Sequence, residues 1–200
     1  MLQECAKMND TEIYLSRVKA DLPKILMRSF LICFTGSAVA AVISFLLFRV
    51  IPCGNYLIVC DISDGSFLSN VKNAVDYVFP CAVQMIILYL SAYSTLSGAV
   101  SMIVTAWRGI CLGSSLSIIL SGSVGGIGNM WRVSAWLYFS ITVVIAIFAA
   151  VSLMYSGALT FTSGCGEKKY FRSLSAEFTK CFLLFSGVVF ILGCASALFI

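Results

Sequence analysis

The chain contains no histidine, and no aspartate or glutamate occurs between Asp76 and Glu167. The first absence removes zinc sites built on imidazole, Ser-His and Cys-His nucleophile pairs, and histidine proton relays. The second leaves a long stretch with no carboxylate to serve as a base, so intramembrane chemistry by paired aspartates has no residues to use there. Charge of either sign is scarce: 11% of residues are Asp, Glu, Lys or Arg, 60% are hydrophobic, and the mean hydropathy is +0.99. A soluble globule needs far more polar surface than this, so the composition marks an integral membrane protein.

Nine cysteines are present, yet none forms a C-x-x-C pair. Cys33, Cys81, Cys111, Cys181 and Cys194 fall within apolar runs, where cysteine behaves as a small hydrophobe. No metal site and no cofactor are expected. Cys53 and Cys60 both fall in the expected outer loop 52–77, and an oxidising exterior would allow a disulfide between them. The glycines of GSVGGIGN, 122–129, follow no strand and do not make a phosphate loop.

What the chain does have is long apolar runs. About 20 such residues cross the hydrocarbon as a helix, and five windows qualify: 29–51, 78–97, 99–121, 131–154 and 181–200. The expected fold is therefore all-α: a polytopic bundle of about five transmembrane helices. It comprises an N-terminal arm, 1–28, and a single transmembrane domain, 29–200. The first run is too long and starts too far in for a cleaved signal peptide, so it reads as a retained anchor. Ser97 and Gly98 are the expected tight turn of a hairpin between the second and third spans. Trp131 and Trp136 open the fourth, where amphipathic rings favour the interface.

Positive residues set the expected orientation. Lys7, Arg17, Lys19, Lys24 and Arg28 occupy the arm, and Lys168, Lys169, Arg172 and Lys180 the loop 155–180, whereas the loops 52–77 and 122–132 carry only Lys72 and Arg132. Cytoplasmic flanks hold the lysines and arginines, which puts the N-terminus inside and the C-terminus outside. Phe171, Leu174 and Phe178 on one face of 167–180, with Lys168, Lys169 and Arg172 beside them, suggest an interfacial helix on the lipid surface; Leu15, Val18 and Leu22 suggest another in the arm. The net charge of +4 thus points to anionic lipid rather than nucleic acid, for which no binding fold fits.

One residue breaks the apolar pattern. In TAWRGICLGSS, 105–115, Arg108 stands about nine residues into the third span, roughly 13–14 Å at 1.5 Å per residue and so near the midplane of a ~30 Å core. A cation there costs ~2.5–3.5 kcal/mol on insertion scales. Either the side chain runs along its helix to lipid phosphates or water, or it is satisfied by helix-end carbonyls, by Gln84 or Tyr89 across the hairpin, or by another protein. Beside it, Gly109 and Gly113 form a G-x-x-x-G step, a notch for close helix contact. Another helix of the chain, a second copy, or a different membrane subunit could fill it. Ser114, Ser115 and Ser117 read as packing residues rather than nucleophiles.

The segment LYLSAYSTLSGAVSMIVTAWRGICLGSSLSIIL, 88–120, resembles the central hairpin of the stage II sporulation protein M family of bacterial membrane proteins. The likeness is a small-residue turn, an apolar run, then an aromatic, a basic residue and glycines four apart. It places Trp107, Arg108, Gly109 and Gly113 at motif positions, and Ser97 where the family often has glycine. Ala99 stands where that family commonly has proline, and its proline and asparagine region opening the fourth span is not evident in GNMWRVSAWLYF. The resemblance implies a non-enzymatic scaffold of the bacterial plasma membrane, anchoring cell-wall remodelling enzymes such as peptidoglycan hydrolases during sporulation engulfment. The third helix and the loop 52–77 would bind those partners. The competing expectation is a permease subunit or small channel, with Gln84, Tyr89, Ser91, Ser94, Thr95, Ser101 and Thr105 as polar lining and Arg108 as an anion contact.

Overall fold

A computed structural model describes Lys24, Met27, Arg28 and residues 30–47, 67–120, 130–164 and 168–198. These residues form an all-α bundle: α1 (Phe30–Leu47), α2 (Phe67–Ser91), α3 (Ser97–Leu120), α4 (Met130–Gly164) and α5 (Lys168–Leu198). Phe30–Leu47, Trp136–Gly164 and Lys168–Ala195 are long and apolar enough to cross a membrane, and Val78–Ser91 is a shorter apolar stretch.

The hairpin between α2 and α3 turns at 92–96, not at Ser97 and Gly98 as the sequence suggests. Serine hydroxyls explain the difference. Ser91 Oγ donates to the Leu88 carbonyl at 2.9 Å and Ser94 Oγ to the Ser91 carbonyl at 3.0 Å, while Ser94 Oγ accepts from the Leu96 amide at 3.3 Å. These local bonds compete with helix continuation. The backbone winds down through bonds three residues apart, Tyr93 N to Leu90 O and Ser94 N to Ser91 O, and Ser97 then opens α3.

Two expected loops are in part helix. α2 begins at Phe67 rather than near 78, and Leu68, Val71, Val75 and Val78 there keep helical spacing. More consequentially, 155–164 and 168–180 are helix. α4 runs on to Gly164, α5 starts at Lys168, and the two are about 52 Å and 46 Å long at 1.5 Å per residue. The segment 168–180 is therefore the first part of α5 and not a separate helix on the lipid surface. Phe178 is fully buried, and Phe171 and Leu174 pack on the core. The reason is an unbroken apolar seam: Phe171, Ser175, Phe178, Phe182, Phe185, Val189 and Leu192 alternate at steps of four and three, the period that holds one helix against another. The arm's Leu15, Val18 and Leu22 lie outside the described residues.

α5 packs against α4 and α2, and α3 against α4. Aromatic rings fill the α2–α4–α5 junction: Phe178 stacks on Tyr89, Phe148 and Tyr155 with centroids 5.3, 5.9 and 5.1 Å away. Tyr93 Oη bonds Ser175 Oγ at 2.9 Å and Tyr89 Oη at 3.1 Å, and Tyr89 Oη bonds Thr179 Oγ1 at 2.9 Å. These contacts make α5 antiparallel to α2. α1 instead runs parallel to α3, since Ser37 faces Gly109 and Ala41 faces Gly113. Arg28 and Lys24 consequently point toward the same end of the bundle as Ser97, Ser175 and the α5 cations Lys168, Lys169, Arg172 and Lys180.

Candidate functional site

Three helices converge on Arg108. Its surroundings follow from a stripe on α3, Ser97, Ser101, Thr105 and Arg108, spaced by four, four and three residues and buried throughout. At the lower end of the stripe Ser97 Oγ donates to Ser156 Oγ of α4 at 2.6 Å. Ser101 Oγ reaches the Ala149 carbonyl at 3.4 Å, and Thr105 Oγ1 bonds back to the Ser101 carbonyl at 2.8 Å. Ser152 Oγ of α4 ties in α2 through the Leu88 carbonyl at 2.8 Å. Small hydroxyl residues let the backbones approach while leaving no donor stranded.

Arg108 ends the stripe with 4% of its surface exposed. Nε donates to Gln84 Oε1 of α2 at 2.5 Å, Nη1 to Tyr138 Oη of α4 at 3.3 Å, and Nη2 to Cys81 Sγ of α2. Cζ also lies 5.6 Å from the centre of the Tyr138 ring. Hydrogen bonds to a charged group contribute about 1.5–3 kcal/mol each, and a desolvated cation on an aromatic face about 2. Two such contacts offset the insertion cost of ~2.5–3.5 kcal/mol. The arginine is thus accommodated inside the protein, not by running out to the lipid phosphates.

Of the two partners foreseen across the hairpin, Gln84 fits and Tyr89 does not, because the Tyr89 hydroxyl is engaged with Thr179 and Tyr93. Tyr138 and Cys81 are additions that sequence reading misses. Depth alone could have flagged Tyr138: it lies about seven residues, roughly 10 Å, into α4 from the end opposite to the one from which Arg108 is counted, so the two meet within a ~30 Å core.

The glycine notch is occupied by α1 of the same chain. A Cβ on Gly109 would clash with the Ser37 carbonyl oxygen and lie 2.8 Å from Ala40 Cβ, and one on Gly113 would clash with the Ala41 carbonyl oxygen and lie 2.7 Å from Ser44 Cβ. Ser44 Oγ donates to the Ile110 carbonyl at 3.0 Å, a bond that such close backbones permit. Cys33, Ser37, Ala41 and Ser44 form the matching buried face of α1.

Trp107, next to Arg108, points the other way and is 54% exposed. It faces lipid. In a variant whose only tryptophan is Trp107, phospholipids brominated on their acyl chains are expected to quench its fluorescence strongly, and Trp107→Phe should shift stability by no more than ~0.5 kcal/mol. Ser97→Ala removes a bond between neutral groups, for which membrane proteins average about 0.6 kcal/mol and rarely exceed 1.7. A thermal midpoint lowered only slightly by that change is the expected result.

Cys53 and Cys60 lie outside the described residues, as do the side chains of Ser114, Ser115 and Ser117. Cys33, Cys81, Cys111, Cys181 and Cys194 are not disulfide-bonded. Among the described residues, no group of three or more His, Cys, Asp or Glu side chains converges on a point that could hold a metal. No protein-family model matches the chain, and no curated protein or solved structure matches it either.

Proposed function

We propose that this chain is a non-enzymatic scaffold of a bacterial plasma membrane. What supports the reading is the fate of its most unusual residue: Arg108 is spent on Gln84, Tyr138 and Cys81, tying α2, α3 and α4 together. A guanidinium held in that way stiffens a platform and meets no solute. The hydroxyls that would line a pore are engaged similarly, Ser91 with the Leu88 carbonyl, Ser97 with Ser156 and Thr105 with the Ser101 carbonyl. The common end of Lys24, Arg28, Lys168, Lys169, Arg172 and Lys180 supports assigning that end to the cytoplasm, with the C-terminus outside.

The resemblance of 88–120 to stage II sporulation protein M names the partners to look for: peptidoglycan hydrolases held at a septum. With the α3 notch taken up by α1, partners would meet the chain elsewhere, for instance through 52–77. Deleting the gene should displace septal wall-degrading enzymes visualised as fluorescent fusions. Normal placement of those enzymes, with no septal or envelope defect, contradicts the proposal. The competing transport reading is tested by reconstituted liposomes: solute flux that depends on Arg108 would favour a permease.

A further inference from the structure

The end of the α4–α5 pair projects past the rest of the described bundle. Ser156 is level with Ser97, where α3 begins, and Ser175 is level with Tyr93 in the α2–α3 turn. Beyond these contacts α4 runs on for eight residues to Gly164, about 12 Å, and α5 starts seven residues, about 10 Å, before Ser175.

Two helices place the bilayer edge independently. Ser37 of α1 faces Gly109, so Arg28, nine residues earlier, is level with Val100 of α3. Gln84 bonds Arg108 and Tyr89 bonds Thr179, which puts Lys180 about level with Val104. The two cations thus stand within about 6 Å of one height. There the surfaces change: α1 is apolar from Phe30 onward, and the exposed face of α5 passes from Lys168, Lys169, Arg172 and Glu177 to Leu183, Leu184, Val188 and Ile191. The hydrocarbon therefore ends near Arg28 and Lys180.

Height decides what the cations of the tip can touch. Arg172, Lys169 and Lys168 lie about 12, 16 and 18 Å further out than Lys180, whereas the headgroup layer on each side is only about 5–8 Å thick. The tip stands past the lipid phosphates. All three side chains are exposed, and among the described residues none of them has an ion-pair partner.

The chain carries a matching charge at this end. In the arm, Glu4, Asp10 and Glu12 fall within nine residues that hold one cation, Lys7. Lys24 follows Glu12 by twelve residues, enough to span about 40 Å when extended. α1 packs on α3, α3 on α4 and α4 on α5, three steps of 8–10 Å that add to at most about 30 Å. The arm can reach. Its tether also holds it at an effective concentration of order millimolar, which a free acidic protein would have to match.

We propose that the acidic stretch 4–12 of the N-terminal arm docks on Lys168, Lys169 and Arg172 of the projecting α4–α5 tip. The proposal is independent of the scaffold reading.

The test uses the full chain in phosphatidylcholine bilayers, as an equal mixture of unlabelled and nitrogen-15-labelled protein. A carbodiimide joins a carboxyl to a lysine amine as an amide, taking up the elements of water as its urea, and mass spectrometry maps the products. Links from Asp10 or Glu12 to Lys168 or Lys169 are expected, with both peptides of each link carrying the same isotope. Their yield should fall about fivefold or more between about 0.05 and 0.5 M salt. Arg172→Glu, at an exposed position that itself forms no link, should lower the yield about threefold or more, and Arg172→Lys should retain it. Exchanging half the lipid for phosphatidylglycerol, or adding octaglutamate at about 10 μM, should leave the links in place. Carboxyls joined only to Lys19 and Lys24, links of mixed isotope that reveal a second copy's arm, or yields unmoved by Arg172→Glu would each overturn the proposal. So would links abolished by phosphatidylglycerol, which would assign the tip to lipid phosphates, or by octaglutamate, which would assign it to a free acidic partner.

Discussion

Gly113→Leu is expected to separate α1 from α3 and to destabilise the bundle by about 3 kcal/mol or more. Even the first carbon of the new side chain would clash with the Ala41 carbonyl oxygen and approach Ser44 Cβ at 2.7 Å. Backbone cannot swing aside as the tip of a flexible side chain can, so the helices must move apart. Overpacking of this kind typically costs 1–3 kcal/mol where the surroundings can adjust, and here they cannot without losing the interface, including the bond from Ser44 Oγ to the Ile110 carbonyl. Gly109→Leu meets the same obstacle at Ser37 and Ala40. Thermal unfolding in detergent gives the size of the loss, and amide hydrogen exchange gives its place: protection should fall first along α1. Gly157→Leu, where a Cβ meets nothing within 4 Å, is the matched control and should leave both measurements nearly unchanged.

The second large effect is expected at Gln84. Replacing it by leucine removes the acceptor for Arg108 Nε while keeping the bulk, which leaves a buried guanidinium short of a partner. Leaving a buried donor without its acceptor costs about 1–3 kcal/mol for a neutral group and more for a charged one, because the guanidinium loses part of its compensation. Arg108→Met alone removes the charge but leaves the Gln84 amide and the Tyr138 hydroxyl with less to bond, a smaller loss of ~1–3 kcal/mol. The double change Gln84→Leu with Arg108→Met then has neither the charge nor its acceptor. Its stability is expected to exceed that of Gln84→Leu by ~2 kcal/mol. Additive losses in the double variant would mean that the two side chains do not depend on one another.

Much of this architecture is legible without coordinates, and the failures have physical causes. Apolar runs reveal the helices because the requirement for about 20 apolar residues is blunt. Charges mislead at the ends: Lys168, Lys169, Arg172 and Lys180 look like a loop at the lipid surface, yet the four-three seam of Phe171, Ser175, Phe178 and Phe182 carries α5 straight through them. Periodicity was the stronger signal there, since a lysine can sit on the outer face of a packed helix at little cost. Gln84 is readable as the partner of Arg108 because a hairpin fixes which residues share a level. Cys81 lies one turn from Gln84 on the same helix and follows only once the rotation of α2 is known. Tyr138 needs the lateral order of the helices, and no local pattern encodes which helix lies beside which. The occupant of the notch at Gly109 and Gly113 was open for the same reason.

The account rests on where the Arg108 guanidinium finds its partners, and solid-state nuclear magnetic resonance of the protein in phospholipid bilayers reads that directly. With nitrogen-15 in the arginines and carbon-13 in the glutamines, Arg108 Nε is expected to show a through-space contact with the Gln84 side-chain carbonyl and no dephasing by the phosphorus of lipid headgroups. Coupling of that nitrogen to lipid phosphorus, with no contact to Gln84, would contradict the account.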